Sequence, residues 1–89
     1  MAIQSFSCAD TERLFTTGKS VRFANIRQVA MRKLTQLDAA PSIGFMKMPS
    51  GNDLKAYGGC WHLRINRPWR LSFRWSDAGP TDVVIEDPH

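Results

Sequence analysis

The sequence predicts an α+β fold in which two N-terminal helices pack on a small, twisted antiparallel sheet. In the first half of the chain, apolar residues recur at intervals of three and four, which is typical of helices that bury one face. In the second half, apolar and polar residues alternate between turn signals, which is typical of antiparallel strands. Helices followed by strands favour an α+β arrangement, and 89 residues correspond to a single domain, 1–89.

The first half is predicted to contain a short strand and two helices. The strand candidate is 2–6. The segment Ser7-Cys8-Ala9-Asp10 matches a capping box, which predicts a helix of about two turns that Gly18 ends. Ser20 is predicted to cap a longer helix that ends before Pro41. One apolar stripe runs along this second helix: Phe23, Ile26, Ala30, Leu34 and Leu37.

The second half is predicted to contain a loop and four strands. The loop spans 41–51, and Gly51-Asn52 is a turn signal at its end. A further turn is predicted at 77–80. The four strand candidates are 54–57, 60–65, 69–75 and 83–86. The predicted order is therefore β-α-α-β-β-β-β.

The segment RINRPWRLSFRW, 64–75, predicts how the central hairpin pairs. A two-residue turn would place Asn66 opposite Trp69, which sends a polar and an apolar residue to one face. A three-residue turn places Ile65 opposite Trp69, and the apolar residues then share one face. Because one face must be buried, we expect the second register. The core is then predicted to join the apolar stripe of the second helix to Trp61, Leu63, Ile65, Trp69, Leu71, Phe73, Val83 and Ile85.

Composition narrows the function classes. The net charge is +4, and ten of the twelve basic residues lie between Lys19 and Arg70, which favours a polyanionic or acidic partner. No apolar run is long enough for a membrane span, and the N-terminus has no signal-peptide pattern. Cys8 and Cys60 have no metal-ligand spacing, so we expect reduced thiols in a cytoplasmic protein that needs no metal or other cofactor.

The expected register places arginines opposite each other on the outer face of the sheet. Arg64 faces Arg70 and His62 faces Ser72, while Arg74 lies further along the same face. Like charges directly opposite each other destabilise a sheet, so the pair predicts a bound anion, either a phosphate or carboxylates from elsewhere. The alternative is that the arginines extend into solvent and bind nothing.

The C-terminal residues add groups that can exchange protons. A histidine such as His89 can exchange protons near neutral pH, and a nearby carboxylate such as that of Asp87 would hold its ring and stabilise the imidazolium. The alternative for His89 is a frayed terminus without a role.

These motifs together resemble the HigB branch of the RelE/ParE toxin superfamily. The similar segments run through nearly the whole chain. The most specific are Arg64-Ile65-Asn66, Trp69-Arg70-Leu71 with Phe73-Arg74-Trp75, and the ending Asp87-Pro88-His89. The resemblance implies a RelE/ParE-like fold and a toxin that cuts mRNA at the ribosome. It also implies a HigA-like helix-turn-helix antitoxin, through which the pair would bind operator DNA.

The resemblance also implies roles for individual residues. The catalytic set is predicted to be His89, Asp87, Arg70 and Lys55. The RNA-binding set is predicted to be Arg64, Arg70, Arg74, His62 and Arg67. Three features depart from the family pattern: Pro88 replaces a tyrosine, the loop at 57–60 is several residues shorter, and Gly44-Phe45-Met46-Lys47 replaces the usual Asp-Leu-Arg segment. The alternative function is a toxin-fold protein that binds without cutting, such as a gyrase or ribosome-assembly inhibitor or an antitoxin-bound co-repressor.

Overall fold

A computed structural model describes residues 2–47, 53–66 and 68–87. It contains two α-helices and four strands, which form one antiparallel sheet in the order β1-β2-β3-β4. The predicted combination of two N-terminal helices and an antiparallel sheet is confirmed. The elements are α1 (Ala9–Thr17), α2 (Arg27–Ala39), β1 (Lys55–Tyr57), β2 (Cys60–Asn66), β3 (Trp69–Ser76) and β4 (Gly79–Glu86).

Helix α1 ends where the sequence predicts but begins differently. Gly18 has φ of 72°, a conformation that glycine adopts without strain, and its N–H donates to the Leu14 carbonyl. The predicted capping by Ser7 is wrong, because Cys8 is the N-cap residue. The Ser7 hydroxyl instead donates to the Asp82 carbonyl at 3.2 Å. This hydroxyl therefore ties the N-terminal segment to the sheet.

The predicted strand at 2–6 is also wrong. The segment forms one isolated parallel bridge, between Phe6 and Val83. Its backbone nevertheless follows the edge of β4, since Gln4 N–H donates to Pro80 O, and Val83 N–H donates to Ser5 O. These bonds occupy backbone N–H and C=O groups along the free edge of β4. Such edge groups can otherwise pair with a strand of another chain.

Helix α2 begins later than predicted. The Ser20 hydroxyl accepts the Phe23 N–H at 3.2 Å, and a short 3₁₀ helix, Ala24–Ile26, precedes α2. The helix ends at Ala39, shortly before Pro41, as expected. All five residues of the predicted apolar stripe are buried. The stripe therefore continues through the 3₁₀ turn into α2.

The predicted loop at 41–51 contains a second 3₁₀ helix, Ile43–Lys47, and its Met46 is fully buried. The loop-like segment therefore contains a short 3₁₀ helix that packs into the core through Met46. The turn expected at Gly51-Asn52 lies outside the described residues.

The central hairpin combines both registers that the sequence allows. Leu63 pairs with Leu71 and Trp61 with Phe73, as predicted, but Asn66 rather than Ile65 pairs with Trp69. A bulge between Arg64 and Asn66 reconciles the two pairings, because one extra residue on β2 shifts the register. Ile65 remains buried at 7% exposure. The bulge therefore keeps Ile65 on the apolar face, although only two residues connect the paired Asn66 and Trp69.

The inner face of the sheet and the helices share one apolar cluster. Leu63, Leu71, Phe73 and Ile85 are at most 1% exposed and belong to the same cluster as the α2 stripe. Trp61 and Trp69 are only partly buried but pack against it. The predicted core is therefore confirmed, with these two tryptophans at its margin.

Candidate functional site: a basic cavity on the outer face of the sheet

The outer face of the sheet carries a cavity of about 480 Å³ between the ends of β1, β2 and β3. Four of the predicted site residues line it. Among the described residues, the lining is Asp53, Lys55, Tyr57, His62, Leu63, Arg64, Asn66, Pro68, Trp69 and Arg70. The cavity is thus built mainly from polar residues that alternate with the core residues of the same strands.

The arginine pair predicted from the alternation is present. Arg64 on β2 is directly opposite Arg70 on β3, and both are exposed. Across the sheet, Glu86 on β4 pairs with Arg70. Within the described residues, however, no carboxylate oxygen lies within 4 Å of either guanidinium. Two guanidinium groups therefore line one cavity, and no described carboxylate forms an ion pair with either of them.

Lys55 enters the cavity because β1 pairs with β2. Lys55 is directly opposite His62, and its Nζ lies 3.6 Å from Asp53 Oδ2. Both side chains of this ion pair are more than half exposed, so solvent weakens it. The described lining residues therefore include three cationic side chains and one carboxylate, and their summed charge is positive.

His62 is held by a chain of hydrogen bonds that runs across three strands. Its Nδ1 lies 2.7 Å from Ser72 Oγ, and Ser72 Oγ donates to Glu86 Oε1 at 2.5 Å. The His62 side chain is 19% exposed, whereas Ser72 is nearly buried at 5%. The sequence placed His62 opposite Ser72, and the β2–β3 register confirms that placement.

Tyr57 is a cavity residue that the sequence reasoning missed. It is 56% exposed, and its ring centroid lies 5.4 Å from that of His62. The signal in the sequence was the pair Gly58-Gly59, which is typical of a two-residue hairpin turn. In the structure both glycines have positive φ, and the turn places Tyr57 opposite Cys60. Pairing β1 with β2 across this turn would have placed Lys55 and Tyr57 on the His62 side.

Glu86 was missed as a member of this group, and so was the hydrogen bond that joins it to Ser72. Alternation places both residues on the outer face, yet the sequence does not show that the outer face of β3 carries a buried hydroxyl. Only the pairing of β3 with both neighbours brings the three polar side chains into contact.

The other predicted site residues do not line the cavity or are not described. Arg74 lies further along β3, where its Nε is 3.8 Å from Asp82 Oδ2, and it is not a lining residue. Asp87 follows β4, is exposed, and is not a lining residue. Arg67 and His89 lie outside the described residues. The structure thus brings together Lys55, His62, Arg64 and Arg70, and the roles assigned to Arg67, Arg74, Asp87 and His89 remain predictions.

Two groups away from the cavity have shifted pKa values. Burial raises the pKa of the Cys8 thiol, but polar contacts with the Thr11 backbone and hydroxyl and with the Asp10 backbone, together with the charge of Arg22, outweigh burial and lower it overall. The Cys8 side chain makes no capping hydrogen bond to helix α1. Burial, and then the nearby charge of Arg32, lower the pKa of Lys33.

The described part of the chain contains no group of three or more histidine, cysteine or acidic side chains arranged to hold a metal ion. Cys8 and Cys60 are both free thiols, as expected. No helix among the described residues is long and apolar enough to cross a membrane.

Comparison with known proteins agrees with the resemblance seen in the motifs. A family model described as "RelE-like toxin of type II toxin-antitoxin system HigB" matches residues 4–89. Toxin HigB-1 of Vibrio cholerae serotype O1 (strain ATCC 39315 / El Tor Inaba N16961) is 33% identical over 70 residues, which cover 74% of this chain and 73% of that protein. The chain therefore belongs to the HigB family of RelE-like toxins of type II toxin–antitoxin systems.

Proposed function

We propose that this toxin is a ribosome-dependent endoribonuclease that cuts mRNA and so inhibits translation in the cytoplasm. The observation that carries the proposal is the cavity in which Arg64 and Arg70 face each other without a carboxylate within 4 Å among the described residues. Such a pair has an energetic cost in the free protein, and a phosphate between the two guanidiniums would remove it. Residues 1–89 would act as a single RelE/ParE-like toxin domain.

Fixed cationic donors are suited to RNA cleavage by the 2′-hydroxyl. In this reaction the 2′-oxygen bonds to the adjacent phosphorus while the bond from phosphorus to the 5′-oxygen breaks. Negative charge accumulates on the phosphoryl oxygens during the transfer, and preorganised guanidiniums stabilise it. Arg64 and Arg70 would hold the phosphate, and Lys55 would add a third positive charge at the rim.

Tyr57 supplies a surface for a base beside the phosphate site. Single-stranded RNA is bound by proteins largely through bases that stack on aromatic side chains. The ring of Tyr57 is exposed at the cavity and lies next to His62. It could serve the stacking role for which Pro88, at the position of the family tyrosine, has no aromatic ring.

The test is inducible expression of the chain alone, with growth measured and mRNA 5′ ends mapped. We expect growth arrest and new mRNA ends, and both should disappear in a variant with Arg64→Ala and Arg70→Ala. Arg13→Gln is the matched control, since it removes an exposed arginine that lines a separate hollow near the end of α1. Growth arrest without new mRNA ends would favour the alternative of a toxin that binds without cutting.

Membership in a type II toxin–antitoxin family implies an antitoxin partner. We propose that this partner is a HigA-like helix-turn-helix protein, and that operator DNA is bound only through it. Acidic residues of the antitoxin would meet part of the basic surface, because complementary charge speeds association and fixes orientation. Co-expression of the toxin with its genetic neighbour should yield a stable complex that binds the operator, whereas purification of the free toxin alone would contradict this.

A further inference from the structure

We propose that His62 is the base that accepts the 2′-hydroxyl proton, and that Ser72 and Glu86 position it. This inference rests on the proposed function, since it assigns a role within the same cavity. It also adds a proton-transfer group to the set predicted from the sequence, in which the only catalytic histidine was His89 and His62 was assigned to RNA binding.

The hydrogen-bond chain determines which ring nitrogen of His62 carries the proton. A serine hydroxyl has one proton, and Ser72 donates it to Glu86 Oε1. Ser72 Oγ can therefore only accept from His62 Nδ1, which lies 2.7 Å away. Nδ1 must then carry a hydrogen, and the neutral ring has its free lone pair on Nε2.

The free nitrogen belongs to a ring that borders the cavity. His62 is a lining residue, with Lys55 opposite on β1 and Arg64 two residues along the same strand. A phosphate held by Arg64 and Arg70 would bring the attached ribose close to this ring. Nε2 would take the 2′-hydroxyl proton as the bond from the 2′-oxygen to phosphorus forms, and the leaving 5′-oxygen would take a proton from a separate acid.

Two groups are candidates for that acid, one that lines the cavity and one that is predicted from the sequence alone. Lys55 lines the cavity beside Asp53. His89 is predicted from the sequence alone. In either case His62 becomes an imidazolium during the reaction, and the Glu86 carboxylate, 3.7 Å from Nδ1, would stabilise it through Ser72.

The arrangement is similar to other catalytic sites in which a carboxylate orients a histidine. The carboxylate selects the tautomer and supports the cation, while the histidine contacts the substrate. Here a buried serine lies between the two groups, so Ser72 and Glu86 are positioning residues. His62 is the catalytic residue of the three.

The first test measures the tautomer and needs no activity. Nitrogen NMR of ¹⁵N-histidine-labelled protein, at a pH where the His62 ring is neutral, should show a protonated Nδ1 and an unprotonated Nε2. Ser72→Ala removes only the hydroxyl oxygen and should abolish this preference. Ser72→Thr keeps a hydroxyl and should restore it. A wild-type ring with its proton on Nε2 would overturn the inference.

The second test measures cleavage of ribosome-bound mRNA. His62→Gln should lower the cleavage rate by about 10²–10⁴-fold while ribosome binding is retained, which is the usual contribution of a general base. Glu86→Gln can donate to Ser72 Oγ and so permit the wrong tautomer, and it should lower the rate at least about tenfold. Unfolding curves of each variant would show that the loss is not caused by misfolding.

The outcomes separate this inference from the proposed function. If His62→Gln cuts like the wild type while Arg70→Ala does not cut, the inference is overturned and the proposed function stands. If the wild-type chain does not cut mRNA at all, the proposed function fails, and the catalytic role of His62 fails with it.

Discussion

The two faces of the sheet are made by the same strands but are stabilised in opposite ways. On the inner face, Leu71 and Phe73 are at most 1% exposed and pack into the helical cluster. On the outer face, Arg70 alternates with them and is directly opposite Arg64. Burial stabilises the inner face, whereas like charges oppose each other on the outer face. The inner face therefore stabilises the fold, and we propose that the outer face binds a ligand.

The largest effect is expected on the inner face. Phe73→Ala should lower the free energy of unfolding by about 3–5 kcal/mol, because it leaves a cavity in a closely packed cluster. Urea unfolding measures this change. The control is Val21→Ala, at a side chain that is 98% exposed, and it should change stability by less than about 0.5 kcal/mol. Similar losses at both positions would contradict the description of the core.

The next effect concerns the C-terminal histidine. Deletion of His89 should leave ribosome binding intact and reduce mRNA cleavage by about 10²–10⁴-fold, if His89 is the acid for the leaving 5′-oxygen. Pro88→Tyr, which restores the family residue, should raise toxicity. Both are measured by mapping mRNA ends after induction. Unchanged cleavage without His89 would make Lys55 the candidate acid.

A smaller effect is expected at Tyr57. Tyr57→Leu keeps an apolar side chain of moderate size but removes the aromatic ring, and it should weaken binding of single-stranded RNA by about 1–3 kcal/mol. Fluorescence titration with a labelled oligonucleotide measures the change. Stability should barely alter, because the side chain is more than half exposed. An unchanged affinity would remove Tyr57 from the RNA site.

Strand alternation made the inner face and the arginine pair predictable from the sequence. Neighbouring residues of a strand point to opposite faces of the sheet. If Leu63, Leu71 and Phe73 are buried on the inner face, Arg64 and Arg70 must lie on the outer face. The same argument failed at the hairpin end, because a bulge next to Ile65 lets a two-residue connection coexist with an apolar face. Patterns of alternation do not reveal an extra residue.

The full hydrogen-bond chain from His62 to Glu86 could not be predicted, because it depends on how β3 pairs with both of its neighbours. Ser72 meets His62 through β2 and Glu86 through β4, and no spacing along the chain shows that both contacts form. Arg74 lies further along the outer face, as predicted, and its ion pair with Asp82, at a bulge between β3 and β4, is a second contact that the sequence does not show.

The central claim is that the arginine pair lowers stability in the free protein and binds RNA phosphate. The most direct test compares unfolding and RNA binding for Arg64→Ala, Arg70→Ala and the double variant. We predict an unfolding free energy that is unchanged or higher by up to about 1 kcal/mol. We also predict weaker RNA binding, with a salt dependence less steep by about 0.7 per arginine removed. A double variant that is clearly less stable and binds RNA like the wild type would contradict the account.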